Sequence, residues 1–299
     1  MTKEGDKSNS GRGGGLAPGP VWRAGDFEWE MTRRSLVMGI LNITPDSFSD
    51  GGENFLLKDT LPSASRLVSE GADILDIGGE STRPGAEVVP VEKEVERILP
   101  VFEALRRLHG VALSIDTSKP EVARVALGAG AHIVNDVTGF RDERMIELCA
   151  PLDCGIVIMH MQGTPGTMQR DPRYSDVLGE VRAYFEERYE TLVSAGIAPE
   201  RIVFDPGIGF GKTLEHNLSL VAGLSDLRVE GRPLLMGLSR KSFLGLLVGR
   251  EELACRERPT QALTVLARRN GAMVHRVHQV KECCEALRMV EAVMEIGVA

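Results

Sequence analysis

From residue 36 onward, short β-rich apolar runs alternate with longer amphipathic or alanine-rich stretches, and the alternation occurs eight times. The runs are Leu36 to Ile43, Ala72 to Ile77, Val111 to Asp116, His132 to Val137, Gly155 to His160, Arg201 to Asp205, Pro233 to Leu238 and Met273 to Val280. Strands that are apolar on both faces and separated by helices belong in a parallel sheet, because right-handed crossovers lay the helices over it. Eight repeats favour closure, so the sequence predicts an α/β chain folded as a (β/α)8 TIM barrel over an open doubly wound sheet.

The connecting segments carry the matching helical pattern. Between residues 91 and 108, Val91, Val95, Ile98, Leu99, Phe102 and Leu105 recur at helical spacing, while Glu92, Lys93, Glu96, Arg97, Arg106 and Arg107 cover the other side. A helix ending at Gly71 introduces the second strand, and residues 174 to 192 read as a solvated helix with an apolar stripe. The 299 residues suit a single barrel domain over 21–299, preceded by a flexible low-complexity extension over 1–20 that contains Gly-Arg-Gly-Gly-Gly and Pro-Gly-Pro. Residues Val21 to Arg34 are expected to cover the N-terminal end of the barrel.

A formal net charge of −8 leaves no basic surplus to displace the counterions of a phosphate backbone, which argues against nucleic acid as a partner. Small anions are still admissible, since arginines and helix N-termini can build a local positive site. Cys149, Cys154, Cys255, Cys283 and Cys284 show no C-x-x-C pair, so neither a disulfide framework nor a zinc site is indicated and a reducing cytoplasm fits. No apolar run approaches membrane-spanning length, and residues 1 to 30 contain no continuous apolar h-region.

Polar residues gather where the eight predicted strands end, and in a barrel those ends form one mouth. Strand one ends in Asn42 and enters the turn-rich Thr44-Pro45-Asp46-Ser47-Phe48-Ser49-Asp50-Gly51-Gly52. Strand two leads to Glu80-Ser81-Thr82-Arg83-Pro84-Gly85, where Arg83 can reach an anion or an aromatic face. Asp116 and Asn135 close strands three and four, an acceptor beside an amide that suits a nitrogen-rich heterocycle. Asp205 opens the glycine-rich Pro206-Gly207-Ile208-Gly209-Phe210-Gly211-Lys212, and strand seven gives Ser239-Arg240-Lys241-Ser242, with Ser242 near the start of a helix. Arg276 and His278 lie two apart on the last strand, hence on one side of it, and paired cationic donors suit phosphate.

These segments also resemble a known family. Met38 to Gly52 looks like the first signature of the dihydropteroate synthases and Asp76 to Ala86 like the second, followed by Ser114 to Pro120, Met159 to Pro165, Asp205 to Lys212 and Ser239 to Ser242. The resemblance implies condensation of 6-hydroxymethyl-7,8-dihydropterin pyrophosphate with p-aminobenzoate, with Mg2+ helping to hold the pyrophosphate. It places Asn42, Asp50, Lys241, Arg276 and His278 among the catalytic residues, with Asn42 the one toward the metal. Asp116, Asn135, Asp205 and Lys241 are implied for the pterin ring, and Arg276 with His278 for phosphate. Thr82, Arg83, Pro84, Phe210 and Ser242 would shape the p-aminobenzoate side, where sulfonamides would compete. A homodimer with C-terminal-half helices at its interface is implied as well.

Two departures from the family pattern stand out: Gln279 replaces an acidic residue after Arg-x-His, and Arg258-Pro259-Thr260-Gln261-Ala262-Leu263 stands where Gly-Ser-Leu-Ala or Gly-Thr-Leu-Ala is common. They keep open a non-catalytic pterin-binding homologue, while a pterin-dependent methyltransferase domain is the nearest enzymatic alternative. Asp76 and Asp136 are read as structural acceptors and left out of the site, His160 as support, and Gly209-Phe210-Gly211 as a plain turn if Lys212 points to solvent.

Overall fold

The computed structural model describes residues 19–43, 53–81 and 87–296. Strands β3 (Leu36–Asn42), β4 (Ile74–Gly78), β5 (Ala112–Asp116), β6 (Ile133–Asp136), β7 (Gly155–Met159), β8 (Ile202–Asp205), β9 (Leu234–Met236) and β10 (Ala272–Val277) form a closed barrel in chain order, β10 returning to pair with β3. All pairs in the barrel are parallel. Helices α1 (Glu53–Ser69), α2 (Val91–Leu105), α3 (Pro120–Gly128), α4 (Glu143–Cys149), α5 (Val177–Ser194), α6 (Leu214–Ala222), α7 (Ser242–Leu247), α8 (Glu257–Arg269) and α9 (Val280–Ile296) fill the crossovers. The predicted strands therefore fall where the apolar runs place them, although β10 stops at Val277 and leaves His278 just beyond it.

Strand parity divides the core. Leu75, Ile77, Leu113, Ile115, Ile156, Ile158 and Phe204 point outward into one large cluster with the helices. Met38, Ile74, Ala112, Ile133, Val157, Val203 and Val274 form a second cluster inside the barrel. One step further along the same inward parity come Asp76, Ser114, Asn135, Asp205 and Arg276, so the interior changes from apolar to polar toward the strands' C-terminal ends.

The base of this interior is closed by a hairpin, β1 (Val21–Ala24) and β2 (Phe27–Glu30), as expected for Val21 to Arg34. Trp22 is fully buried in the interior cluster and donates Nε1–H to the Arg201 carbonyl at 3.1 Å. Ala24 lies so close to β7 that a Cβ at Gly155 would meet its Cβ at 2.7 Å.

On α2, Glu94 lies on the buried face, where Lys119 Nζ pairs with it at 2.5 Å and with Glu80 at 2.6 Å. One local expectation changes. Helix α5 starts at Val177 behind an Asp176 cap, so Tyr174 precedes it and packs its ring beside His160 and His216. Among the described residues no helix is long and apolar enough to cross a membrane.

Candidate active site

The polar layer at the barrel mouth is built around Arg276. Its Nε donates to Asp76 Oδ2 and its Nη2 to Asp116 Oδ2, each at 2.6 Å. Asp76 also accepts from Ser114 Oγ at 2.6 Å and Asn135 Nδ2 at 3.2 Å, so this carboxylate aligns three side chains from three strands. Burial opposes charge on Arg276, yet the Asp76 and Asp116 carboxylates hold its guanidinium above the ordinary range.

Asp116 is different from Asp76 in one respect. Its Oδ1 is buried and accepts no hydrogen bond among the described residues. Burial pushes this carboxyl up to about 7 against the pull of Arg276, with Asp76 adding repulsion. A buried acceptor of this kind on a mouth-facing side chain calls for a donor from beyond the described residues. Gly78 keeps the space beside it open, since a Cβ there would lie 3.5 Å from the Asp116 Cβ. Asn42 sits exposed at the end of β3, in register with Gly78.

Across the mouth, Asp205 Oδ1 accepts from Gly207 N at 2.7 Å. Burial raises the Asp205 carboxyl, while that hydrogen bond and the Lys241 charge pull it down. Lys241 Nζ stands 4.0 Å from the Phe210 ring centroid, a cation–π contact that joins the loops after β8 and β9. Burial draws Lys241 down to about 8 despite the Asp205 carboxylate nearby. Gly209, at φ +80, makes the approach possible, because a Cβ there would meet Lys241 Cδ at 2.9 Å.

The turn that carries Lys241 is held from α8. Arg240 has φ +61, its N–H donates to Thr260 Oγ1 at 3.2 Å, and its Nε meets Glu257 at 2.5 Å. Arg256 Nη1 donates to the Arg240 carbonyl at 3.1 Å. The unusual start of α8 thus acts as a clamp on the Ser239–Ser242 turn. Ser242 is exposed as the first residue of α7. Ser239 helps to orient His278: its Oγ lies 2.9 Å from Nδ1 and accepts from the His278 backbone N–H at 3.2 Å.

The structure therefore brings Asn42, Asp116, Asn135, Asp205, Phe210, Lys241, Ser242, Arg276 and His278 to the strand ends. Asp50, Thr82, Arg83 and Pro84 lie outside the described residues. Arg276 departs from its expected posture: it is engaged by two carboxylates inside the barrel while His278 is held separately by Ser239. Asp76, set aside as structural, is at the centre of the cluster, whereas Asp136 does turn outward, where it accepts from Thr138 and Phe140 N–H groups. Parity separates the two: Asp76 pairs in register with Ser114, and Asp136 follows Asn135 on the opposite face.

Residues 38–278 match the family model described as pterin binding enzyme. Dihydropteroate synthase of Escherichia coli (strain K12) is 48% identical over 260 residues, covering 86% of this chain and 91% of that enzyme. The structure of Burkholderia cenocepacia dihydropteroate synthase complexed with 7,8-dihydropteroate superposes with a TM-score of 0.85 at 43% identity, covering 94% of this chain and 99% of that one. Xanthomonas albilineans dihydropteroate synthase with 4-aminobenzoic acid gives the same TM-score, 0.85, and identity, 43%, over 92% of this chain and 98% of that one. This chain belongs to the pterin binding enzyme family, among the dihydropteroate synthases.

Proposed function

We propose that the chain condenses 6-hydroxymethyl-7,8-dihydropterin pyrophosphate with p-aminobenzoate, releasing pyrophosphate and forming 7,8-dihydropteroate. The observation that carries this reading at the site is the buried Asp116 Oδ1, unpartnered among the described residues, beside Asn135 and facing Asp205 across the mouth, an acceptor set suited to the amino and ring N–H groups of a pterin. Arg276 and Asp76 fix Asp116 and Asn135 before ligand arrives, which lowers the ordering cost of binding.

In this reading the pterin lies deep in the mouth, with its CH2–O bond toward the rim. That bond breaks with both electrons leaving on pyrophosphate. The carboxylates of Asp76, Asp116 and Asp205 line the deep part of the mouth, where they would face the positive charge left on the pterin. The amine lone pair of p-aminobenzoate then forms the C–N bond and the nitrogen gives up its proton to the departing pyrophosphate or to water, so no enzyme nucleophile is needed. Phe210 offers a face to the aromatic amine, and Lys241 holds a positive charge beside it. Ser242, Thr82, Arg83 and Pro84 complete that side by resemblance. Ser239 Oγ, 2.9 Å from Nδ1, holds the His278 ring, and in this reading His278 serves the phosphate oxygens. Asp50 is counted among the catalytic residues by the same resemblance.

Among the described residues no group of three or more His, Cys, Asp or Glu side chains converges as a metal cage. A single neutral oxygen ligand such as Asn42 still suits Mg2+ brought in with substrate, because that ion keeps waters and phosphate oxygens as its other ligands and would neutralise the leaving group. Five free cysteines support a reducing, cytoplasmic setting.

Homodimerisation through the C-terminal half belongs to the same proposal. Leu246, Leu247 and Val248 of the α7 end are about half exposed beside a cavity of about 890 Å³ lined by Leu244, Cys255 and Leu263. The reaction itself is tested by following pyrophosphate release and dihydropteroate formation with Mg2+, with and without p-aminobenzoate. Coupled appearance of both products is expected, whereas pterin binding without turnover would refute the reading.

A further inference from the structure

Lys212 closes the glycine-rich loop after β8, and its side chain does not reach solvent: the residue is 4% exposed. Three acceptors surround its ammonium, the Phe210 carbonyl at 3.0 Å, His160 Nδ1 at 3.1 Å and the His160 carbonyl at 3.3 Å. An ammonium has three N–H donors, so every donor has one acceptor. This match requires His160 to be neutral with its proton on Nε2. Burial together with the Lys212 charge drives the His160 ring down to about 3, which agrees with that state.

The neighbouring carbonyls of the loop are tied in the same way. Gly209 O accepts from Gln169 Nε2 at 2.7 Å and Gly211 O from Tyr174 Oη at 3.0 Å. Gly207, Gly209 and Gly211 all have positive φ, and the loop lies against β7 so tightly that a Cβ at Gly207 would meet the His160 carbonyl at 2.0 Å. The residue fixed at the centre of these ties is Phe210, whose ring faces Lys241 at 4.0 Å and packs on Met159, Met161 and Met168. Lys212 itself touches neither Lys241 nor Asp205 by hydrogen bond among the described residues. Apart from the backbone it holds, it reaches the mouth only through the attraction between its charge and the Asp205 carboxylate and the repulsion with Lys241.

We propose that Lys212 is a positioning residue for the aromatic-amine pocket: its buried ammonium pins the Phe210 carbonyl to the end of β7 and so sets the Phe210 ring against Lys241. Burying a lysine is costly, and burial pulls this one down to about 7 against the attraction of Asp205, so a purely structural tie could be made more cheaply by a neutral donor. What the charge adds is three strong hydrogen bonds converging on two backbone carbonyls and one imidazole. The inference rests on the reading of Phe210 as a wall of the p-aminobenzoate site.

The test is a double-mutant cycle on the full chain with Lys212→Met, Phe210→Leu and the pair, reading KM for p-aminobenzoate, Kd for dihydropterin pyrophosphate by calorimetry, and Tm. Lys212→Met is expected to raise the p-aminobenzoate KM on the order of tenfold, as loss of hydrogen bonds to a charged group can, while the pterin Kd moves less than about threefold. The pair should then have nearly the KM of Phe210→Leu alone. If the two changes multiply, or if pterin Kd rises as much as KM, Lys212 does not act through Phe210 and the proposal fails. Should Phe210→Leu leave the p-aminobenzoate KM unchanged in an enzyme with normal pterin affinity, the reading of Phe210 fails and takes the proposal with it. If Lys212→Met does not fold, Lys212→Gln, which retains a shorter amide donor, enters the same cycle with the same expectations.

Discussion

Arg276 Nη2 donates to Asp116 Oδ2 at 2.6 Å and leaves Asp116 Oδ1 buried with no partner among the described residues. One oxygen is thus anchored by the protein, and the other is available for ligand. Asp116→Asn should separate these two roles. Removing a carboxylate that burial already penalises is expected to leave Tm unchanged or higher, while pterin affinity falls about tenfold to a hundredfold, the scale of a charged hydrogen bond. Calorimetry and thermal unfolding on one preparation check both, and a parallel fall in the two would contradict the assignment.

Removing the cation instead should be far more damaging. Arg276→Met leaves Asp76 and Asp116 as buried carboxylates facing each other without their shared partner. A cost of about 3–5 kcal/mol in stability is expected for breaking such a buried pair. Denaturant unfolding measures it, and a loss under about 1 kcal/mol would show that water already compensates the carboxylates.

The pH response of Lys241 has two opposite signs. Its folded value of about 8 lies below its ordinary 10.5, so between these values the unfolded chain holds a proton that the folded chain lacks. Stability therefore rises with pH through that window. Binding of the anionic pterin pyrophosphate goes the other way and weakens as pH climbs past about 8, because the ammonium discharges. Titrations by calorimetry and by thermal unfolding should show both slopes, and Lys241→Met should flatten both.

Thr260 supports the turn beneath Lys241 at a distance. Thr260→Val would strand the Arg240 N–H in a turn whose φ of +61 is already unfavourable for a side-chain-bearing residue. A loss of about 1–2 kcal/mol is expected, together with weaker pterin binding, and Thr260→Ser should restore both. Unaltered affinity in Thr260→Val would mean that α8 does not govern where Lys241 points.

The exposed end of α7 bears on association. Leu247→Glu puts a charge on an apolar surface beside the α7–α8 cavity and is expected to convert a dimer to a monomer in light scattering. A wild-type chain that is already monomeric at micromolar concentration would remove the basis for this expectation.

Most of the barrel was legible because periodicity is a local signal: each strand carries its own apolar run and each helix its own stripe. The site was legible as positions, since strand ends converge in any such barrel. What the sequence did not disclose are pairings between distant residues. Arg276 and Asp76 are separated by 200 positions, and only the closed geometry brings the guanidinium onto the carboxylate. Lys212 could be read as a solvated charge for the same reason, because its partner His160 comes from another strand end of the barrel. Asp76 could have been distinguished from Asp136 by counting in twos from the inward Ile74, which is a signal present in the sequence.

The Trp22 hairpin makes the barrel a blind well. Among the described residues, Trp22 and Ala24 fill the end opposite the mouth and leave the rim where Phe210 and Ser242 stand as the open end. In the proposed reading a ligand held at Asp116 and Asn135 lies behind one held at the rim, so the deep substrate would arrive first and the joined product would back out the way its first half came in. The hairpin, although remote from the chemistry, imposes a sequence of arrivals on the enzyme.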